Sequence, residues 1–115
     1  MSKHDQWQFR IRHMNEAIQR IQDYTGNMSC SVFVESRMVR DAVERNFEII
    51  GEATAKIPQD IQDKYSNIPW HKMKAMRNFI IHQYDEVEEV ALWNTIQKDL
   101  PPLLMQLQKV LGKEK

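Results

Sequence analysis

VRDAVERNFEIIGEATAKI, residues 39 to 57, places Val39, Val43, Phe47, Ile50, Ala53 and Ile57 at steps of four, four, three, three and four. Such steps return side chains to one face of a 3.6-residue helix, so the stretch is an amphipathic helix with a single apolar stripe. No proline intervenes before Pro58, and the predicted helix runs from about 32 to 57. Upstream, Trp7, Ile11, Met14, Ile18 and Ile21 repeat the pattern, which predicts a helix from about 4 to 24 ended by Gly26-Asn27. Downstream, QDIQDKY can form a helical turn before Ile68-Pro69 launches a third helix, with Pro69 near its first position, that runs to about Gln83. A last stripe of Val90, Trp93, Ile96, Leu100, Leu103, Leu107 and Leu111 keeps its register across Pro101-Pro102. The unbroken register favours one helix kinked at the proline pair; the alternative is a separate helix capped by Asp99 with both prolines in its first turn. No segment alternates as a strand would. The expected fold is all-α: one domain over residues 1–115, an antiparallel up-and-down bundle of four to five helices.

Composition narrows the function classes. In 115 residues, 16 Lys+Arg balance 16 Asp+Glu, a net charge of zero that argues against a protein that coats nucleic acid but permits a locally basic cleft. A chain this short buries only about two-thirds of its unfolded surface, which makes a second subunit an expected source of stability. Cys30 is the only cysteine and the four histidines are scattered, so neither an internal disulfide nor a thiolate-rich zinc site is available. The expectation is metal-free chemistry without a cofactor, in a reducing cytoplasm. The three glycines supply no phosphate-binding loop, the N-terminus lacks the apolar core of a signal peptide, and no apolar run approaches a membrane span of about 20 residues.

The third helix, PWHKMKAMRNFIIHQY from Pro69 to Tyr84, departs from simple amphipathicity. At about 100° per residue, Met73, Met76, Ile80 and Tyr84 share one apolar arc that Trp70 and Ile81 extend. Arg77 falls inside that arc, so its guanidinium must either snorkel to water or find an acceptor. Glu48 and Glu52 are the candidate acceptors if its role is structural. His71, Ala75, Asn78 and His82 form a separate stripe, and roughly 140° separates Arg77 from His82. For both to reach one small group, either the helix unwinds near His82 or two chains combine at a two-fold axis. The charge divides here as well. His71, Lys72, Lys74 and Arg77 are followed by Asp85, Glu86, Glu88 and Glu89, a run suited to a helix N-terminus. Arginine binds phosphate oxygens bidentately and histidine titrates near neutrality, so the pair suits a phosphate ester. His4, His13 and His71 are read as solvated.

At Arg77-Asn78-Phe79-Ile80-Ile81-His82-Gln83-Tyr84 the chain resembles the HEPN superfamily, marked by an Arg, four to six residues and a His. The added Tyr84 makes it similar to the HepT branch, with its R-x-x-x-x-H-x-Y pattern. RDAVERNFEIIGEA from Arg40 to Ala53, IPWHKMKAMRN from Ile68 to Asn78, and VALWNTIQKDLPPLL from Val90 to Leu104 extend the resemblance over essentially the whole chain.

The resemblance implies an all-α HEPN fold that dimerises with the two motif segments facing each other. It also implies a metal-independent endoribonuclease, in which a ribose 2′-hydroxyl attacks the adjacent phosphate to give a cyclic phosphate and a free 5′-hydroxyl. His82 would then be general base or acid, Arg77 would stabilise the phosphorane, and Asn78 would orient the phosphate or His82. HepT proteins are toxins paired with a nucleotidyltransferase antitoxin of the MntA type, which transfers AMP to the motif tyrosine, here Tyr84. A non-catalytic module that binds a nucleotide or a partner protein is the alternative, and a purely structural helical adaptor is a third.

Overall fold

The apolar stripes assemble into seven α-helices among the residues described by the computed structural model, 6–80 and 86–113. In chain order they are α1 (Trp7–Thr25), α2 (Cys30–Glu35), α3 (Arg37–Ala55), α4 (Gln59–Lys64), α5 (Trp70–Ala75), α6 (Glu86–Lys98) and α7 (Leu100–Lys113), with a 3-10 stretch, Met76–Ile80, continuing α5. No strand occurs among the described residues, as the periodicity predicts. Helix contacts close a ring: α3 packs on α1, α1 on α7, α7 on α6, α6 on α2 and α2 back on α3. Outside the ring, α5 and the 3-10 stretch lean on α3. None of the described helices is long and apolar enough to cross a membrane.

The core is built by the residues whose spacing predicts it. Ile11, Met14, Ile18 and Ile21 of α1 and Val43, Phe47 and Ile50 of α3 are fully buried, as are Leu100 and Leu107 of α7. Of the buried polar residues, Thr25, Asn46 and Thr54 are satisfied locally or across helices, while the Asn15 side-chain oxygen has no hydrogen-bond partner among the described residues. Thr25 and Thr54 hydroxyls donate to the carbonyls of Ile21 and Ile50, and Asn46 accepts from Arg20 Nε at 2.8 Å, which ties α1 to α3.

Two expected helices are divided. The helix predicted over 32–57 breaks at Ser36, with φ −92° and ψ 88°, into α2 and α3. Ser29 caps α2 by accepting from Val32 N–H at 3.3 Å. The break lets Phe33 pack on Trp93 of α6, ring centroids 5.2 Å apart, while α3 keeps its stripe in the common core. The favoured single kinked helix across the prolines is also corrected, because α6 stops at Lys98 and α7 begins at Leu100. Asp99 does not cap α7 through its side chain. The N–H groups such a cap would bind belong to the second and third helical positions, which are Pro101 and Pro102 and have none. The Asp99 carboxylate is thereby left to meet Lys72 Nζ of α5 at 3.0 Å.

The polar stretch before α5 is held by one side chain. The Trp70 indole N–H donates to the carbonyls of Gln62 and Tyr65, at 3.1 and 3.0 Å, so the start of α5 is pinned to α4. Tyr65 in turn lies 6.2 Å from the ring of Trp7 on α1. Trp70→Phe keeps most of the ring and removes both bonds. The expected loss is about 1–3 kcal/mol, seen as a lower urea midpoint with an unchanged slope; an unchanged midpoint would show that the indole N–H secures nothing.

Candidate active site

The segment bearing Arg77 and Asn78 is placed by three contacts. Trp70 fixes its start, Met73 and Met76 are buried beneath it, and Lys72 bridges to Asp99 at the α6/α7 junction. The expected straight helix from Pro69 to Gln83 ends at Ala75, where the backbone tightens into the 3-10 stretch. Such a change of winding within a helix marks strain or a functional position.

The tightest contact lies under Arg77 itself. A Cβ at Gly51 of α3 would stand 2.7 Å from Arg77 Cβ, 2.8 Å from its backbone nitrogen and 3.0 Å from the carbonyl of Lys74. Only a residue without a side chain allows the two backbones to meet this closely. The stem of Arg77 therefore begins against α3, yet the residue as a whole is exposed, as is Asn78. Of the two fates open to an arginine on the apolar arc, Arg77 takes the first and snorkels. It forms no ion pair with a described residue. Glu48, one candidate acceptor, instead bridges Arg45 at 3.2 Å, and Glu52 lies in a groove on the α1 side of α3.

His82 and Tyr84 lie outside the described residues, as do Ile81 of the expected arc and His4. The described chain resumes at α6, whose acidic first turns follow the expectation for a helix N-terminus. Here Glu89 meets Arg40 of α3: Nη1 to Oε1 is 2.6 Å, with the side chains only 20% and 12% exposed. The Arg40 Nε is buried without a hydrogen-bond partner. Thus α3 holds both sides of the motif connection, through Gly51 on one and Arg40 on the other. Of the remaining expected solvated histidines, His71 is exposed and His13 is partly covered by Phe9. Among the described residues no three His, Cys, Asp or Glu side chains are grouped to hold a metal ion.

Neither Gly51 nor the Arg40–Glu89 pair figures in a periodicity reading. The signal for Gly51 was present nonetheless, since glycine inside a helix costs about 1 kcal/mol relative to alanine and needs a compensating reason.

A family model described as "HepT-like: Ribonuclease HepT-like" matches residues 14–110. Among curated proteins, "Putative RNase MJ1380" of Methanocaldococcus jannaschii is 33% identical over 110 residues, covering 96% of this chain and 100% of the relative. "Probable ribonuclease HepT" of Thermococcus cleftensis is 37% identical over 100 residues, covering 87% and 91%. "Gamma-glutamylcyclotransferase and putative RNase MJ0434" of M. jannaschii is 35% identical over 101 residues; the match covers 88% of this chain and only 46% of that protein. No solved structure gives a significant match.

The seat of Arg77 can be tested by paired substitutions. Gly51→Ala should destabilise by about 1–3 kcal/mol despite the better helix propensity of alanine, because the 3-10 stretch must lift off α3. Gly112→Ala meets nothing within 4 Å and should be neutral or gain up to about 1 kcal/mol. Chemical denaturation compares them, and equal responses would show that the approach at Gly51 is slack.

Proposed function

The chain belongs to the HepT-like ribonuclease family, and on that footing we propose that it is a metal-independent endoribonuclease toxin neutralised by AMP transfer to Tyr84. The observation that carries the proposal is the complete Arg77, His82, Tyr84 pattern lying within the matched residues 14–110. Support comes also from Arg77, whose head is exposed and unpaired by any described carboxylate, as a residue that receives an anion must be.

In this reading His82 accepts the proton of a ribose 2′-hydroxyl as that oxygen attacks the adjacent phosphorus, or returns a proton to the departing 5′-oxygen. The bond from phosphorus to the 5′-oxygen breaks, which leaves a cyclic phosphate and a 5′-hydroxyl. Arg77 neutralises charge gathering on the non-bridging oxygens, and Asn78 orients the phosphate or the imidazole. Proton transfer by a positioned imidazole is worth about 10²–10⁴ in rate, and preorganised charge on the phosphoryl oxygens several kcal/mol more. Two copies of the chain would set their motif segments face to face and line one cleft. AMP on Tyr84, two residues from His82, adds negative charge and bulk that compete with an RNA phosphate for Arg77. The partner that supplies it is an MntA-type nucleotidyltransferase: the Tyr84 hydroxyl displaces pyrophosphate from the α-phosphorus of ATP and loses its proton.

Purified protein assayed on RNA in EDTA tests the first part. Wild type should cleave to cyclic-phosphate ends, while His82→Ala and Arg77→Ala should each lose at least about a hundredfold. Equal rates in all three would overturn the catalytic assignment, and AMP or RNA binding without turnover would favour a binding module. For the second part, Tyr84→Phe should remain toxic in cells that express the antitoxin. Full rescue of that variant by an antitoxin acting through transfer alone would contradict the role of Tyr84.

A further inference from the structure

The flank of α3 that faces α1 carries a trough. Two adjoining hollows of about 420 and 380 Å³ share Arg10 and Lys56, so they run together along both helices. On α1 the lining reaches from Gln6 to Arg20, roughly 21 Å at the rise of an α-helix. Arg20 and Arg45 add to its positive charge, against the carboxylates of Glu16 and Glu52. This is a local basic excess in a chain whose total charge is zero.

Structural contacts account for only part of this charge. Arg20 uses Nε on Asn46 at 2.8 Å, which fixes the remainder of its guanidinium at the wall. Arg45 meets Glu48 but its side chain stays 62% exposed. Neither Arg10 nor Lys56 forms an ion pair with a described residue. Beside them Phe9 is 47% exposed, its ring centroid 4.2 Å from that of His13, and the Arg10 guanidinium lies 5.9 Å from the same ring. Two cations, Arg10 and Lys56, that meet no described carboxylate, with the exposed Phe9 ring beside them, are what single-stranded nucleic acid requires: charge for the phosphates, a ring face for a base.

We propose that the α1/α3 trough is an accessory site for single-stranded RNA, separate from the Arg77 cleft; the proposal rests on the ribonuclease reading above. The trough stripe of Arg45, Ile49, Glu52 and Lys56 lies roughly 130° around α3 from Gly51, on which Arg77 sits. A strand held in the trough reaches Arg77 by crossing a single helix, roughly 10–12 Å wide. The trough supplies affinity for long substrates and takes no part in bond cleavage.

The test uses the full chain, a labelled 2′-O-methyl RNA of about a dozen nucleotides that cannot be cleaved, and fluorescence anisotropy over a salt series. Arg10→Gln/Lys56→Gln alters two side chains at the surface, so its melting temperature should match wild type. Its Kd should rise about tenfold or more, and the slope of log Kd against log salt should fall by about 1.4, the value for two phosphate contacts on a single strand. Phe9→Ala should weaken binding with the salt slope unchanged, and Arg10→Lys/Lys56→Arg should restore wild-type affinity. On long RNA the glutamine variant should show raised KM and unchanged kcat, with dinucleotide cleavage unaffected. Active wild type alongside a glutamine variant of equal affinity and salt slope would overturn the accessory site. So would saturation of the trough by AMP at concentrations where the strand gains nothing, or loss of antitoxin binding with RNA affinity intact. Trough-dependent RNA binding by a wild type that does not cleave would uphold the site while the ribonuclease reading failed.

Discussion

The close approach at Gly51 sets the geometry of the motif segment. A hydrogen atom where every other residue carries carbon lets the backbone at Arg77 settle against α3, and from that depth the long stem of the arginine returns its charge to the surface. The arrangement reconciles two demands that otherwise conflict: a segment rooted firmly in the core by Met73 and Met76, and an exposed arginine that meets no described carboxylate. Under the proposed function rooting matters, because an oriented charge stabilises a transition state only if it need not reorganise as the reaction proceeds.

Helix α3 is the reference against which the rest of the site is placed. It packs on α1, α2, α5 and the 3-10 stretch, and its Arg40 holds Glu89 of α6 in a mostly buried ion pair. Breaking such a pair leaves one charge buried without compensation, so it opposes any drift of α6 away from α3. The second tie of this kind, Lys72 to Asp99, is more exposed and correspondingly weaker in its own right. Its value is positional, since it joins α5 to the one residue between α6 and α7.

Much of the fold was legible because burial follows periodicity. The stripes on α1, α3 and α7 enter the core at the positions their spacing assigns. Helix α6 is the exception: Leu92 is fully buried while Val90 is 36% exposed, because this helix packs on both α2 and α7 and a single stripe does not describe two contacts. The interruptions at Ser36, Ala75 and Asp99 escaped for another reason. A break of one residue, or a change from α to 3-10 winding, hardly disturbs the sequence of apolar side chains. For the candidate site, the arc that carried Arg77 into the core assumed a straight helix, which ends at Ala75. Trp70, Met73 and Met76 of that arc are buried, Ile81 and Tyr84 lie outside the described residues, and Arg77 takes the snorkelling outcome. What the wheel omitted was the neighbour: the depth of Arg77 depends on Gly51, twenty-six residues earlier. Partners on different helices leave no mark on the periodicity of either.

The ring of helices has a consequence in time. Its closing contact joins α1 to α7, the first and last helices of the ring, so the core that seats α3 remains open on one side until α7 is available. Contacts between such distant segments form late, because the entropy of closing the intervening chain must be met first. During synthesis, at about 5–20 residues per second, the segment carrying Arg77 leaves the ribosome before the helix that completes the core. A protein able to damage RNA would thus be assembled in an order that withholds its finished shape until translation of the bundle is over.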